Sequence, residues 1–334
     1  MALVKKEYTN VIVYHDVQDL SSYFRVSRVG MGKALSRRQR KEIWEIIEDF
    51  RNHLSSNGYV HDLALYNLLT HYLRENPSEE YGHCIVDELQ DLSNIHLRFI
   101  RSLIESGPND LFMVGDPLQN IYDRKINFTK AKIHIRGKRS RRLRINYRTT
   151  EEIRRRAINL IKGLKFDDFD GSDESMKEYL SLYHGQDPEV KMHDSAEVKY
   201  ERVFELISMY SDDEKHNYSS ICIGARLKSD LKSIKSQLHA KSIPYYDVRD
   251  QAGDHKGIHL CTLHSLKGLE YKNIILIGVN KNTFPYFPYD YESWDEQEKI
   301  THNRKERSLM YVALTRGRET VDILGVGEVS SLLA

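Results

Sequence analysis

Ile85-Val86-Asp87-Glu88-Leu89-Gln90-Asp91 runs a short apolar stretch into two adjacent carboxylates. A buried parallel strand ending this way delivers its acids to the C-terminal edge of a sheet. There one carboxylate can hold Mg²⁺ and the other can polarise an attacking water. Many ordinary strands also end in acids at a turn, so the pair alone decides nothing. Four further groups follow in order. Gly115-Asp116-Pro117-Leu118-Gln119 is a tight turn that places the Gln119 amide where it can sense a phosphate, although Gly, Asp and Pro are also plain turn formers. Asn146-Tyr147-Arg148 offers an aromatic face for a base and a planar guanidinium for a γ-phosphate. Thr262-Leu263-His264-Ser265-Leu266-Lys267-Gly268-Leu269-Glu270 supplies hydroxyls, an imidazole, an ammonium and a glycine, either for phosphate contacts or as a polar loop with a satisfied histidine. Arg316, closing Tyr311-Val312-Ala313-Leu314-Thr315-Arg316, is either a routine partner of a helix C-terminus or a finger on a γ-phosphate. No G-x-x-x-x-G-K-[ST] loop precedes them, so the chain reads as the acidic half of a nucleotide triphosphatase without its phosphate-binding half.

The elements that must position these groups alternate. A strand over Cys84–Asp87 leads to a helix capped by Ser93, with Ile100, Leu103 and Ile104, that ends at Gly107-Pro108. The strand Leu111–Val114 follows, and such a βαβ unit implies parallel pairing. Both acid-bearing turns then leave the same sheet edge. Upstream, Ser36 and Gln39 form a capping box for a helix with Ile43, Ile46, Ile47, Phe50 and Leu54, stopped by Asn57-Gly58. Asp62 is expected to cap a second helix through Leu63, Tyr66, Leu69 and Leu73. Val11-Ile12-Val13-Tyr14 is a candidate strand, and the chain through Gly30-Met31-Gly32 reads as loop. The polar stretch Asp167–Asp187 reads as a surface excursion. A second α/β region follows, with helices over Val198–Met209, Leu231–Leu238 and Lys305–Arg316. Its strands are expected over Ile221–Ile223, Ile243–Val248, Gly257–Thr262, Asn273–Val279 and Val321–Leu324.

With 334 residues, 40% hydrophobic and 30% charged, the chain can bury a sizeable core and form two domains. No apolar run is long enough to cross a membrane, and no signal-peptide segment follows Lys5-Lys6. A net charge of +1 does not announce a nucleic-acid binder. The block from Arg136 to Arg156 is densely basic, however, and is either a solvated helix face or a phosphate-contacting edge. Cys84, Cys222 and Cys261 lie far apart without metal-ligand spacing, which points to reduced, buried thiols and a cytoplasmic setting.

All five motifs in this order resemble those of the UvrD/Rep-type superfamily 1 DNA helicases. Ile85–Asp91 is similar to that family's Walker B motif, VDE-[FYL]-QD, and Val114–Tyr122 to VGD-x-x-QSIY. Leu143–Thr149 resembles L-x-x-NYRS, Thr262–Glu270 resembles T-x-HS-x-KGLE, and Arg307–Arg316 resembles ER-R-L-x-YVA-x-TR. The resemblance spans residues 40 to 326. It implies that Asp87 and Glu88 bind Mg²⁺, with Asp87 as the metal ligand, and activate water. Gln119 and Arg148 would sense the γ-phosphate, and Arg316 would complete the clamp. Tyr147 would stack on adenine, while Gly268 and Glu270 would contact the nucleotide. Tyr122, Thr262 and His264 would line a single-strand channel.

The fold implied is α/β, built on the parallel sheets of P-loop NTPases. Residues 1–80 would be a helical part, a remnant of a 1B-like subdomain. Residues 81–142 would form an incomplete first RecA-like domain, and 143–334 a complete second one. ATP and Mg²⁺ are the cofactors implied, and single-stranded or partly duplex DNA, moved 3′→5′, is the partner. The departures are specific. Gly30-Met31-Gly32-Lys33-Ala34 is the sole P-loop candidate, but Ser27 and Ala34 stand where a glycine and a hydroxyl belong, so it reads as a loop. The family's adenine-reading glutamine motif is missing, Asp-Arg-Lys follows Tyr122 where an aromatic stands in relatives, and the Tyr245–His259 link leaves no room for an accessory domain. The expectation is therefore the C-terminal portion of such a helicase, or a split subunit whose P-loop sits in a separate chain or a missing N-terminal half. The alternative is a non-hydrolysing, nucleic-acid-binding or regulatory protein derived from one.

Overall fold

The computed structural model describes residues 2–28, 31, 34–77, 80–121, 126–135, 139–164, 166, 169, 179–211, 218–248 and 256–333. These fall into two compact units. The first holds the described residues of Met1–Pro117 and Tyr122–Ser140, with Phe169; the second holds those of Leu118–Ile121, Arg141–Asp168 and Ser172–Ala334.

The first unit begins with α1 (Ala2–Glu7), which continues as a π-helix over Tyr8–Val13. The candidate strand at Val11–Tyr14 is thus helical. Tyr14 N donates to Thr9 O at 3.2 Å and Val17 N to Ile12 O at 2.8 Å, the five-residue step of the wider winding. Val11, Ile12 and Val13 are all buried, and the described elements that cover them are helices. A buried segment with no strand partner among the described residues satisfies its backbone by winding on itself. Next come α2 (Leu20–Arg25), α3 (Arg37–Ser56) and α4 (Asp62–Glu75). The Ser36–Gln39 capping box forms as expected, with Gln39 N donating to Ser36 Oγ at 3.2 Å and Ser36 N to Gln39 Oε1 at 3.0 Å. The buried stripe of α3 is Ile43, Trp44 and Ile47, whereas Ile46 and Phe50 are exposed. Asp62 is the first residue of α4 rather than its cap; His61 holds the cap position, and the Asp62 carboxylate accepts from Leu63 N at 2.7 Å. The acid still suits the positive end of the helix dipole.

A buried ion pair pins this helical core. Glu7, fully buried, accepts from Arg28 Nε and Nη2 at 2.7 Å each and from the Tyr23 hydroxyl at 2.6 Å. The expected βαβ unit follows as β1 (Cys84–Val86), α5 (Asn94–Leu103) and β2 (Leu111–Met113), with β1 and β2 paired in parallel and Ile85 opposite Phe112. The expectation of a buried strand is corrected in part. Val86 faces a core made with Leu97, Phe128, Ala131 and Ile133, but Ile85 is 78% exposed and Phe112 62%. In this two-stranded sheet, the described residues cover only one face.

The second unit holds β3 (Ile145–Thr150), α6 (Glu151–Ile161), β4 (Leu180–Tyr183), β5 (Glu189–His193), α7 (Ala196–Tyr210) and β6 (Ile221–Ala225). It continues with α8 (Lys228–Ala240), β7 (Tyr245–Asp247), β8 (Ile258–Thr262), β9 (Tyr271–Ile277), α9 (Glu296–Leu314) and β10 (Gly317–Val326). Six strands make an all-parallel sheet in the order β5-β10-β9-β6-β8-β7, and β3 pairs β4 apart from it. Cys222, Cys261, Ile274, Leu276 and Ile323 face α6 and α9. Ile221, Ile223, Ile258, Ile275 and Ile277 face α7 and α8. Burial on both faces is why β6 and the Ile274–Ile277 run of β9 are apolar without alternation.

Several expected boundaries move. β4 lies inside the stretch read as a surface excursion, because Ser181 packs inward and its N–H reaches Glu151. The helix expected from Lys305 starts at Glu296, behind a capping box of Asp295 and Glu298. Cys222 and Cys261 are free, buried and 3.4 Å apart across β6 and β8. No helix among the described residues is long and apolar enough to cross a membrane.

Replacing Glu7 by alanine leaves the Arg28 guanidinium buried without its carboxylate, and the first unit should lose about 3–5 kcal/mol of unfolding free energy. Trp44, stacked on Tyr23, reports this by fluorescence during urea unfolding of a Trp294→Phe background. An unchanged midpoint would remove the ion pair from the account of this core.

Candidate functional site

The acidic pair sits immediately beyond β1. Glu88 N donates to Asp87 Oδ1 at 2.7 Å, and Glu88 itself adopts φ 51°, ψ 42°, a left-handed conformation uncommon for a residue with a side chain. Leu89 N donates to Val114 O at 2.9 Å and Val114 N to Val86 O at 2.8 Å, so the strand pairing carries on into the two turns. Gly115 lets those turns touch: a Cβ there would stand 2.7 Å from Leu89 Cβ and 2.8 Å from Gln90 Oε1. Its necessity comes from close approach rather than from turn chemistry. Gln90, 1% exposed, lies between the turns, donating from Nε2 to Glu88 Oε2 and accepting from Asp116 N at 2.9 Å. Sequence reasoning passed over Gln90. Its place inside the acidic motif was the available signal.

A second group forms within the second unit. Arg316, 2% exposed, donates from Nη2 to Gln119 Oε1 at 2.5 Å across 197 residues of sequence. Its Nε also donates to Val312 O at 3.3 Å, so the routine helix-end role and the contact with Gln119 coexist. Lys267 Nζ donates to Gln119 O at 3.0 Å, another participant that sequence reasoning left unassigned. Arg148 pairs with Glu270 at 2.5 Å, both well exposed. The Asn146 side chain shapes the approach to Arg148, accepting from Arg148 N at 2.8 Å and donating to Thr149 Oγ1 at 2.6 Å. Tyr147 presents a largely exposed ring. Gly268 has φ +81° with open space where a Cβ would lie, so its requirement is conformational rather than steric.

The residues expected to face DNA divide. Thr262 caps the turn Leu263–Leu266, accepting from Ser265 N at 3.3 Å and hydrogen-bonding the Ser265 hydroxyl at 3.0 Å. His264 stands on that turn and keeps part of its side chain exposed. Crowding around the ring, and then the positive charge of Arg226, hold the imidazole below its ordinary pKa. Arg226 is itself clamped by Glu306, with bonds of 2.9 and 2.7 Å, and Glu306 also accepts from Tyr286 N at 3.0 Å. Tyr122 lies outside the described residues, as do Gly30, Gly32 and Lys33 of the glycine-containing loop, Asp123-Arg124-Lys125 and part of the link before His259.

The basic block resolves toward a solvated helix face in its second half. Arg154 pairs with Glu151, Arg155 with Asp187 at 2.6 Å, and Arg156 Nη2 donates to Leu333 O at 3.0 Å. Among the described residues no group of three or more His, Cys, Asp or Glu is placed to hold a metal ion. Mg²⁺ asks for less, since one or two carboxylates with water and substrate phosphates complete its shell. Asp87 and Glu88 fit that limited demand.

Comparison with known proteins finds two family models that match separate stretches of the chain. The UvrD/REP helicase N-terminal domain matches residues 11–142, and the UvrD-like helicase C-terminal domain matches residues 247–323. A probable DNA helicase of Mycoplasma pneumoniae is 22% identical over 302 residues, covering 86% of this chain and 53% of that protein. DNA helicase II of Haemophilus influenzae is 35% identical over 75 residues, 22% of this chain and 9% of that one. The ATP-dependent DNA helicase PcrA of Staphylococcus aureus is 35% identical over 74 residues, 22% of this chain and 10% of that one. The chain thus spans about half or less of the length of these relatives. It belongs to the UvrD/Rep-type superfamily 1 helicases.

Proposed function

We propose that this chain serves an ATP-dependent motor that moves 3′→5′ along single-stranded DNA. The observation that carries the reading is the buried Arg316 guanidinium held against the Gln119 amide, with Lys267 on the same residue. A guanidinium kept out of water beside an amide is a charge-sensing arrangement suited to a γ-phosphate, and Arg148 adds a second cation. Asp87 would hold Mg²⁺, and Glu88 would orient and deprotonate the attacking water. Bound Mg²⁺·ATP supplies the scissile phosphoanhydride and the metal that neutralises its charge. Tyr147 offers its exposed ring to adenine, and Gly268 and Glu270 contact the nucleotide. His264 and Thr262, with Tyr122, serve the DNA strand. The six-stranded parallel sheet with helices on both faces supports a complete RecA-like second domain. The two-stranded β1–β2 sheet supports an incomplete first one. The phosphate-binding loop would be supplied by other polypeptide.

A second reading is a nucleic-acid-binding protein that does not hydrolyse ATP. The Arg148–Glu270 pair favours it, since each charge already answers the other.

ATP turnover with Mg²⁺ and single-stranded DNA separates the two. On the motor reading, Glu88→Gln lowers kcat by about 10²- to 10⁴-fold while DNA binding persists. Salt-sensitive DNA binding without turnover supports the second reading. Turnover that appears only with an added P-loop-bearing chain supports a split motor. The pKa of His264 gives a separate test. Because the charged form is disfavoured, the ring stays neutral as pH falls through 6.5, and NMR titration should find its midpoint below that value. Arg226→Gln should move the midpoint upward, and DNA affinity should not strengthen between pH 7.5 and 6.5. A midpoint above 6.5 would refute this account of the site.

A further inference from the structure

We propose that Gln90 is a positioning residue for Glu88, fixing the aim of that carboxylate and tying it to the turn that follows β2. The inference rests on reading Glu88 as the group that activates water. Three observations carry it. The Gln90 carboxamide is 1% exposed and joins two partners of opposite kind, the Glu88 carboxylate and the Asp116 N–H. A carboxylate only accepts and a backbone N–H only donates, so these partners dictate the orientation of the amide. Turned over, it would set oxygen against oxygen and N–H against N–H. Glutamine is thereby singled out, because glutamate lacks the donor at neutral pH and apolar residues lack both groups. Burial strengthens the effect, since a hydrogen bond shielded from water is stronger and an unmet polar group there is costly.

Glu88 needs such a partner. It occupies a left-handed backbone conformation at the tip of a turn, and a free glutamate side chain samples many rotamers. With one carboxylate oxygen held by Gln90, the other is presented in a restricted direction, which is what a base acting on a single water requires. Gly115 completes the arrangement, because any Cβ there would strike Gln90 Oε1 at 2.8 Å and push the amide off both partners.

Gln90→Glu and Gln90→Leu test the proposal. Gln90→Glu keeps an acceptor for Asp116 N–H but faces Glu88 with a second carboxylate; Gln90→Leu removes both bonds. At pH 8, kcat for ATP should fall roughly 10- to 100-fold in each variant, with KM for ATP within about twofold of wild type. A general folding defect would instead move KM for ATP along with kcat. Variants that keep kcat within about threefold of wild type overturn the inference. So does a loss of kcat matched by an equal rise in KM for ATP. If wild type shows no turnover even with an added P-loop-bearing chain, the reading of Glu88 fails, and proton exchange of the Gln90 side-chain amide, followed by NMR, decides the inference separately. Glu88→Ala should then speed that exchange at least about tenfold while the Asp116 amide stays protected. Equal exchange rates overturn it.

Discussion

Parallel pairing of strands is the constraint on which the rest of this molecule depends. A parallel strand must be reached by a crossover, and the crossover helix needs an apolar sheet face to cover. Every strand-to-helix loop of one sheet then leaves by the same edge. β1 and β2 obey this on a small scale, and their two turns meet through Gln90 and Gly115. The six-stranded sheet obeys it on a larger one, where β6 ends beside Arg226 and β8 ends in the Thr262–Leu266 turn. Chemistry gathers at these edges because backbone groups and loop side chains converge there without disturbing the packed faces.

Charges buried in this fold are held by more than one partner. Glu7 answers Arg28 and Tyr23, Glu306 answers Arg226 and the Tyr286 amide, and Arg316 reaches both Val312 and Gln119. A charge taken out of water is strongly destabilising when left alone, and several hydrogen bonds to a fixed geometry offset that cost. The result is rigidity at chosen points. The exposed Arg148–Glu270 pair is different in kind: water screens it, and it contributes little to stability. Arg316, in contrast, cannot leave its place without disturbing the end of α9.

The exposed Ile85 and Phe112 bear on how the first unit is to be understood. Parallel sheets bury both faces as a rule, and a two-stranded one with an apolar face that the described residues leave uncovered is an exception. Ile85 belongs to the apolar run that marked β1 as an interior strand. The run does describe a strand made for burial on both sides, and among the described residues only the Val86 side has its cover.

The order and type of the chemistry-bearing residues were legible in the sequence, as were the parallel α/β class, the Ser36–Gln39 cap and most strands of the second unit. Each rests on a local rule: hydrophobic period, capping chemistry, or a motif whose residues are adjacent. The π-helix at Tyr8–Val13 was not legible, because the short apolar run Val11–Val13 carries no period and its neighbours decide whether it winds or extends. Nor was β4, whose inward Ser181 is held by Glu151 thirty residues earlier in the chain. Reading the residues in order was enough to establish that Gln119, Arg148, Glu270 and Arg316 are present. It took the folded chain to bury Arg316 against Gln119, to pair Arg148 with Glu270, and to set Gln90 on Glu88. Those contacts join residues up to 197 positions apart or depend on a side chain turning inward, and burial and pairing across such distances are set by packing, which no local pattern encodes.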